Sequence, residues 1–524
     1  MWEIAHHFGI QASCVSMSHT NPHRLTLLGY AFTVFLSSAL LLVLEIVAGR
    51  LIAPYVGVSL YTWTSIIGVI LAGLSLGNWL GGVWADGGGD GRSVGLVLGL
   101  GGVFYILSLP SLAWLGTAVR DTDLGLLETS FLFAAALFFV PAALIGVVTP
   151  LLTTLALRFD PRAGHVVGRM HALAAIGSIA GTFITGYWLV QRFGTRSVVL
   201  GSAVALFLLA APFLRPGARP VSVLLVLGIL GAGAAVLQPS ALESPCTRES
   251  GYFCIRVVDQ TSAAPFGEAR GMVLDHLLHG INHATVPEML IAPYVHAMDE
   301  LTYAHFGPRY DQGLDYFFAG GGAYSHPRAV QALSPSSRLT VAELDPMVTL
   351  TAAEQLFLAP RGMRILHEDA RVVLAREAGP FDVIVGDVFH DLAVPYHLVT
   401  REFARLVRSK LAPGGLYAMN VVDAFPDPRL VKAVVKTLGA EFRYVDVWME
   451  GMPEADRVTY VLTASDATRL PDRVDARVSF ERSWLRVTGQ LPAVGTPYSE
   501  IPTLTDDYAP VERLIAGLLV GPDR

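Results

Sequence analysis

Ahead of residue 240 the chain contains no lysine and consists mostly of apolar runs long enough to cross a bilayer, and this feature decides its class. Runs of roughly 18–25 residues lie near 26–48, 60–82, 93–116, 127–156, 166–190, 196–214 and 220–238, which predicts seven spans within a membrane region of residues 25–240. Gly73, Gly77 and Gly81 recur at four-residue spacing, as do Gly177 and Gly181. Small residues at that spacing let helix backbones approach in lipid, where packing drives association, so a compact α-helical bundle is expected. Pro141 and Pro150 interrupt the fourth run and predict a kinked or partly re-entrant segment. Residues 1–24 lack the pattern of a signal peptide and read as a disordered leader, with Met17 an alternative start.

Glu45 falls inside the first run, with Arg50 near its end. A carboxylate at membrane depth is costly, so it marks either a charge lock, with Arg50 or another helix, or a polar path for transport. With the N-terminus inside, Arg24, Arg92, Arg158, Arg162, Arg169, Arg215 and Arg219 fall inside, against Arg50, Arg120, Arg192 and Arg196 outside. Seven spans would then put the C-terminal half outside the cytoplasm, whereas a cytoplasmic co-substrate asks for the reverse. Cys246 and Cys254 fit either a disulfide across a hairpin or two unrelated thiols. No second Cys/His pair stands at metal-ligand spacing, so no metal is expected.

Composition turns globular after "QPSALESPC". With 15% charged residues, a net charge of −7 and no basic run, nucleic acid is excluded as the main partner. Residues 245–285 carry β-patterned runs that predict a small β-lobe, and 286–524 alternate strand and helix, which predicts an α/β, Rossmann-like doubly wound sheet. Ligands of such sheets bind at the carboxyl ends of the strands. There the sequence places Gly320, Gly321 and Gly322, then Glu343 in "VAELDP", Asp369 in "HEDA" and Asp387 in "VIVGDVFHD". A glycine turn allows close approach of a ligand, and a carboxylate at the second strand end can accept both ribose hydroxyls. Asp369 is placed for an adenine amino group and Asp387 for a base. Each acid alone would read as a capping or solvated residue; their succession at strand ends points to a site.

The run from "LDHLLHG" through "GGG", "VAELDP", "HEDARVVL" and "FDVIVGDVFHDLAVPYHLVTREFARLVRSKLAPGG" resembles the spermidine synthase family of polyamine aminopropyltransferases, over most of residues 250 to 465. The apolar half together with "TLTDDYAPVE" resembles the membrane-fused bacterial branch, which implies a multi-pass protein of the bacterial inner membrane. The resemblance implies that Glu343 holds the ribose, that Asp369 and Ala370 hold adenine, and that Asp387 deprotonates the attacking amine. It implies decarboxylated S-adenosylmethionine as co-substrate, putrescine or a related amine as acceptor, and methylthioadenosine as product. His279 stands where the family has a glutamine, and Glu288, His390, Asp391 and Tyr396 are candidates for holding the amine. Ala323 replaces the aspartate that usually grips the transferred aminopropyl group, a contact worth roughly 1.5–3 kcal/mol. The segment around Glu288 is reduced to "VPEM", and Asp391 is displaced by one residue from the usual second acid.

Two other functions compete. Ala323 leaves room for the carboxylate of S-adenosylmethionine itself, which suits a methyltransferase or lyase. Glu45 and the spans suit a non-enzymatic polyamine transporter or sensor. His397 could cover the co-substrate or merely pack its loop, and Asp506, Asp507 and Tyr508 read as a cap for the helix begun by "VERLIAGLL". The acceptor and the oligomeric state, for which a homodimer is one option, do not follow from the sequence.

Overall fold

The computed structural model describes residues 22–57, 59–119, 126–214, 244–275, 277–389, 394–451, 457–516 and 518. The apolar half begins with α1 (Pro22–Val56), α2 (Leu60–Asp86), α3 (Gly91–Val119), α4 (Leu126–Leu157), α5 (Ala163–Ile184) and α6 (Thr195–Ala210). With α5 continued to Phe193 and α6 to Phe213, six helices among the described residues are long and apolar enough to cross a membrane. The expected seventh segment, 220–238, and most of the leader lie outside the described residues.

The glycines make the bundle. A Cβ on Gly77 would sit 2.0 Å from the Ala143 carbonyl oxygen, and one on Gly181 would sit 2.2 Å from that of Ala39. Helix α2 therefore lies backbone to backbone on α4, and α5 on α1. Helix α4 continues through Pro141 and Pro150, so of the two alternatives the partly re-entrant segment is not what forms. In an apolar setting a segment that left the helix would strand several polar groups, which costs more than the bonds two prolines remove. The suggested Glu45–Arg50 lock is also absent. Arg50 instead reaches out of the bundle, its guanidinium donating to the Ser250 carbonyl at 2.7 Å and to that of Gly251.

Past the bundle, β1 (Arg248–Glu249), β2 (Cys254–Asp259), β3 (Ala269–Leu274) and β4 (Leu277–His283) form an antiparallel sheet in that order. A Cys246–Cys254 disulfide closes its first hairpin. Helix α7 (Pro293–Phe306) leads into the main sheet. Its parallel strands β5 (Asp315–Ala319), β6 (Arg338–Ala342), β7 (Met363–Leu366), β8 (Phe381–Gly386) and β9 (Leu411–Ala424) stand in the order β7-β6-β5-β8-β9. Helices α8 (Ser325–Leu333), α9 (Pro346–Gln355), α10 (Ala370–Arg376) and α11 (Arg401–Lys410) connect them in turn. After α12 (Arg429–Leu438), strands β10 (Tyr444–Met449), β11 (Arg457–Ser465), β12 (Arg473–Asp475) and β13 (Ser483–Arg486) extend the sheet antiparallel from β9. The strand order reverses between β5 and β8, which opens a crevice at their carboxyl ends.

That end of the sheet is turned toward the bundle. Besides the Arg50 contacts, Glu249 accepts the backbone N–H of Thr195, which opens α6, at 2.7 Å. Glu512 accepts that of Leu60, which opens α2, at 3.0 and 3.1 Å. Short helix α13 (Val511–Leu514) carries Glu512 to that position.

Candidate active site

Strand β5 is buried along nearly its whole length and stops at a turn that only glycine can make. Gly320 has φ +88°, and a Cβ there would lie 2.0 Å from the Asp387 carbonyl oxygen. Gly322 has φ +50°. The turn is held by Glu343, one residue beyond β6. Its Oε2 accepts the N–H of Gly321 at 2.8 Å and of Gly322 at 3.3 Å, and its Oε1 accepts that of Asp345 at 3.0 Å. Burial pushes the Glu343 carboxyl up to about 6 despite these three hydrogen bonds.

Asp369 caps α10, its Oδ1 accepting the N–H groups of Arg371 at 2.9 Å and Val372 at 3.2 Å. Its Oδ2 meets His397 Nε2 at 2.8 Å. Arg371, in the first turn of α10, donates to the His397 carbonyl at 3.0 Å and grips Asp506 through two bonds of 2.8 and 2.7 Å. Thr400 donates to the same Asp506 at 2.7 Å. Asp506 thus clamps the segment after β8 onto α10 rather than capping the next helix, whose start follows Pro510.

Asp387 follows β8 directly and faces Gly320 across the crevice. Asn420 of β9 donates to its Oδ1 at 3.1 Å. Tyr294 of α7 donates to its Oδ2 at 3.4 Å and to the His279 carbonyl at 3.2 Å. Burial raises the Asp387 carboxyl to about 6, while Asn420, the charge of His326 and Tyr294 pull it back down. A carboxyl so placed is ionised at neutral pH and still basic enough to take a proton.

A cavity of about 110 Å³ gathers His279, Gly320, Gly322, Glu343, Asp369, Ala370 and Asp387. Gly321 contributes through its N–H to Glu343 rather than as lining. Glu288 is not among the lining residues, and its charge acts on Arg328 instead. Tyr396 is 60% exposed and lines a different cavity. His390 and Asp391 lie outside the described residues. Ala323 is 1% exposed, and a Cβ on Gly280 would lie 2.9 Å from its methyl. A carboxylate at 323 would therefore be packed against β4.

Tyr294 and Asn420, the two neighbours of Asp387, escaped the sequence reading. Asn420 left a signal, a lone amide within the apolar run "YAMNVV". Tyr294 left none.

No protein-family model matches the chain. It is 26% identical over 222 residues to a protein of Bifidobacterium longum described as a "Probable polyamine aminopropyl transferase", covering 39% of this chain and 49% of the relative. It is 29% identical over 188 residues to polyamine aminopropyltransferase 2 of Pseudomonas aeruginosa, covering 34% of this chain and 50% of the relative. The crystal structure of a probable spermidine synthase from Corynebacterium glutamicum aligns with a TM-score of 0.43 at 20% identity, covering 49% of this chain and 95% of that one. The chain spans about half the length of these two curated relatives. Several curated relatives of this chain are therefore polyamine aminopropyltransferases, matched in part of their length.

Proposed function

We propose that this chain is a membrane-anchored aminopropyltransferase of the bacterial inner membrane that uses decarboxylated S-adenosylmethionine. The observation that carries the reading is Asp387, a buried carboxylate held at about 6 at the switch point of a parallel sheet, in one cavity with Glu343 and Asp369. The donor set fits the co-substrate, because three carboxylates suit a sulfonium nucleoside bearing a second cationic group. Glu343 holds the ribose and keeps the glycine turn closed; Asp369 and the Ala370 backbone hold adenine. The glycine turn lets the backbone pass close to the sulfonium arm.

In the reaction an amine nitrogen attacks the aminopropyl carbon next to sulfur. The new C–N bond forms as the C–S bond breaks, and its electron pair stays on sulfur in neutral methylthioadenosine. An ammonium has no lone pair to attack with, so Asp387 takes the amine proton, and Tyr294 and Asn420 hold the carboxylate toward the acceptor. The test is methylthioadenosine release by the purified full chain from decarboxylated S-adenosylmethionine and an amine. Loss of release in Asp387→Asn supports the assignment; unchanged release removes Asp387 as the base.

A second reading, transfer from S-adenosylmethionine itself, is favoured by the buried Ala323, which leaves no carboxylate to repel that donor's own. Calorimetry showing tight binding of the decarboxylated form and none of the parent would eliminate it.

A further inference from the structure

A second cavity, about 700 Å³, lies between the first turn of α2 and the site. Leu60 and Tyr61 of α2, Leu344, Tyr396 and Val511 form much of its wall. Much of the wall is apolar side chain left exposed among the described residues: Leu60 is 66% exposed, Leu344 40% and Tyr396 60%. Its charged members are engaged, Glu512 with the Leu60 N–H and Arg513 with the Tyr508 hydroxyl at 2.5 Å. Leu344, Pro395 and His397 line this cavity and the nucleoside cavity alike. The chain leaving Asp387 lines the small cavity at Val388 and Phe389, and the large one at Val394.

We infer that the acceptor is an amphiphilic primary amine drawn from the bilayer, its apolar tail in this cavity and its nitrogen presented to Asp387. The inference rests on the aminopropyl-transfer reading and names its acceptor class. Three observations carry it. The cavity opens where a membrane-crossing helix begins, so an apolar chain passes from lipid into protein without entering water. Among the described residues the carboxylates of the small cavity are Glu343, Asp369 and Asp387, and the transfer reading already gives each of them a role on the donor or the attacking nitrogen. Two of the candidate positions for gripping a dication, Ala323 and Glu288, are respectively packed against β4 and outside the lining. The step itself is unchanged: the long-chain amine's nitrogen bonds the aminopropyl carbon, the electron pair of the broken bond goes to sulfur, and Asp387 receives the proton.

The test uses the full chain in phosphatidylcholine nanodiscs, with decarboxylated S-adenosylmethionine and either putrescine or dodecylamine, and reads methylthioadenosine. The expected result is a kcat/KM for dodecylamine at least about tenfold above that for putrescine, the worth of roughly two buried methylenes. Leu60→Glu lowers the ratio of dodecylamine to putrescine kcat/KM about tenfold, while Leu60→Met, which keeps the volume, retains that ratio. Turnover of putrescine with dodecylamine inert overturns the inference and leaves the transfer reading standing. Methylthioadenosine from neither amine removes both, and equal loss of both amines in Leu60→Glu, with Leu60→Met intact, also overturns the inference.

Discussion

Asp387 owes its chemistry to the place where β8 ends: inside the crevice, out of water, with one amide and one phenol aimed at it. On the proposed assignment, replacing it by asparagine keeps the shape of the side chain and removes the base. Methylthioadenosine release is expected to fall by about 10²–10⁴, with donor affinity kept by calorimetry. Because the carboxyl sits at about 6, kcat/KM should climb through that pH and level off above it. The same shift bears on stability. Asp387 and Glu343 hold their protons more tightly folded than unfolded, so their stabilising contribution is complete below pH about 4 and is lost as pH rises through about 6. In the donor-free protein, the Tm advantage of Asp387→Asn over the parent should widen from about pH 5 to about pH 7. The places of Glu343 and Asp387 just past β6 and β8, and of Asp369 at the start of α10, were legible because strand and helix alternate along the sequence. Tyr294 was not, since it reaches Asp387 across 93 residues from another element.

At the scale of elements, the glycine spacing named the faces on which α2 and α5 pack. Gly77→Leu would force a side chain into the Ala143 carbonyl, and detergent-solubilised protein should lose about 1–3 kcal/mol or more of stability, read as a lower Tm. The prolines of α4 do not end the helix, because in an apolar setting a segment that left it would strand more polar groups than two prolines do. "TLTDDYAP" misled: an aspartate before a helix is a good cap, and nothing local shows that Arg371, 135 residues earlier, already holds it. The pair is partly exposed, at 25% and 42%, so Arg371→Ala should raise donor KM by no more than about fivefold in steady-state assays.

For the whole molecule, sequence separated the two regions but gave no hint of how they meet, since the Arg50–Ser250 contact spans 200 residues with no pattern to announce it. The contact also bears on sidedness. The C-terminal domain meets the end of α1 and the starts of α2 and α6, so Arg24, Arg92, Arg158 and Arg162 belong to the opposite face, where Arg158 reaches the Gly89 carbonyl at 3.4 Å. On the membrane-spanning reading, the positive-inside rule would make that face cytoplasmic and would put the C-terminal domain, with its Cys246–Cys254 disulfide, on the side away from a cytoplasmic co-substrate. Protease added to intact spheroplasts should then degrade the C-terminal domain; its protection would place the domain in the cytoplasm.

Glu249 and Glu512 belong to the C-terminal half, yet each terminates a helix of the bundle by accepting the first N–H of α6 or α2. Such donors are left over at every helix start and need a partner. A gene cut between the two regions would leave the first N–H of α6 and of α2 without these acceptors, although Ser59 would still cap α2 through the Thr62 N–H. A foreign catalytic half would keep these two contacts with the bundle only by bringing an acceptor to each of the two places.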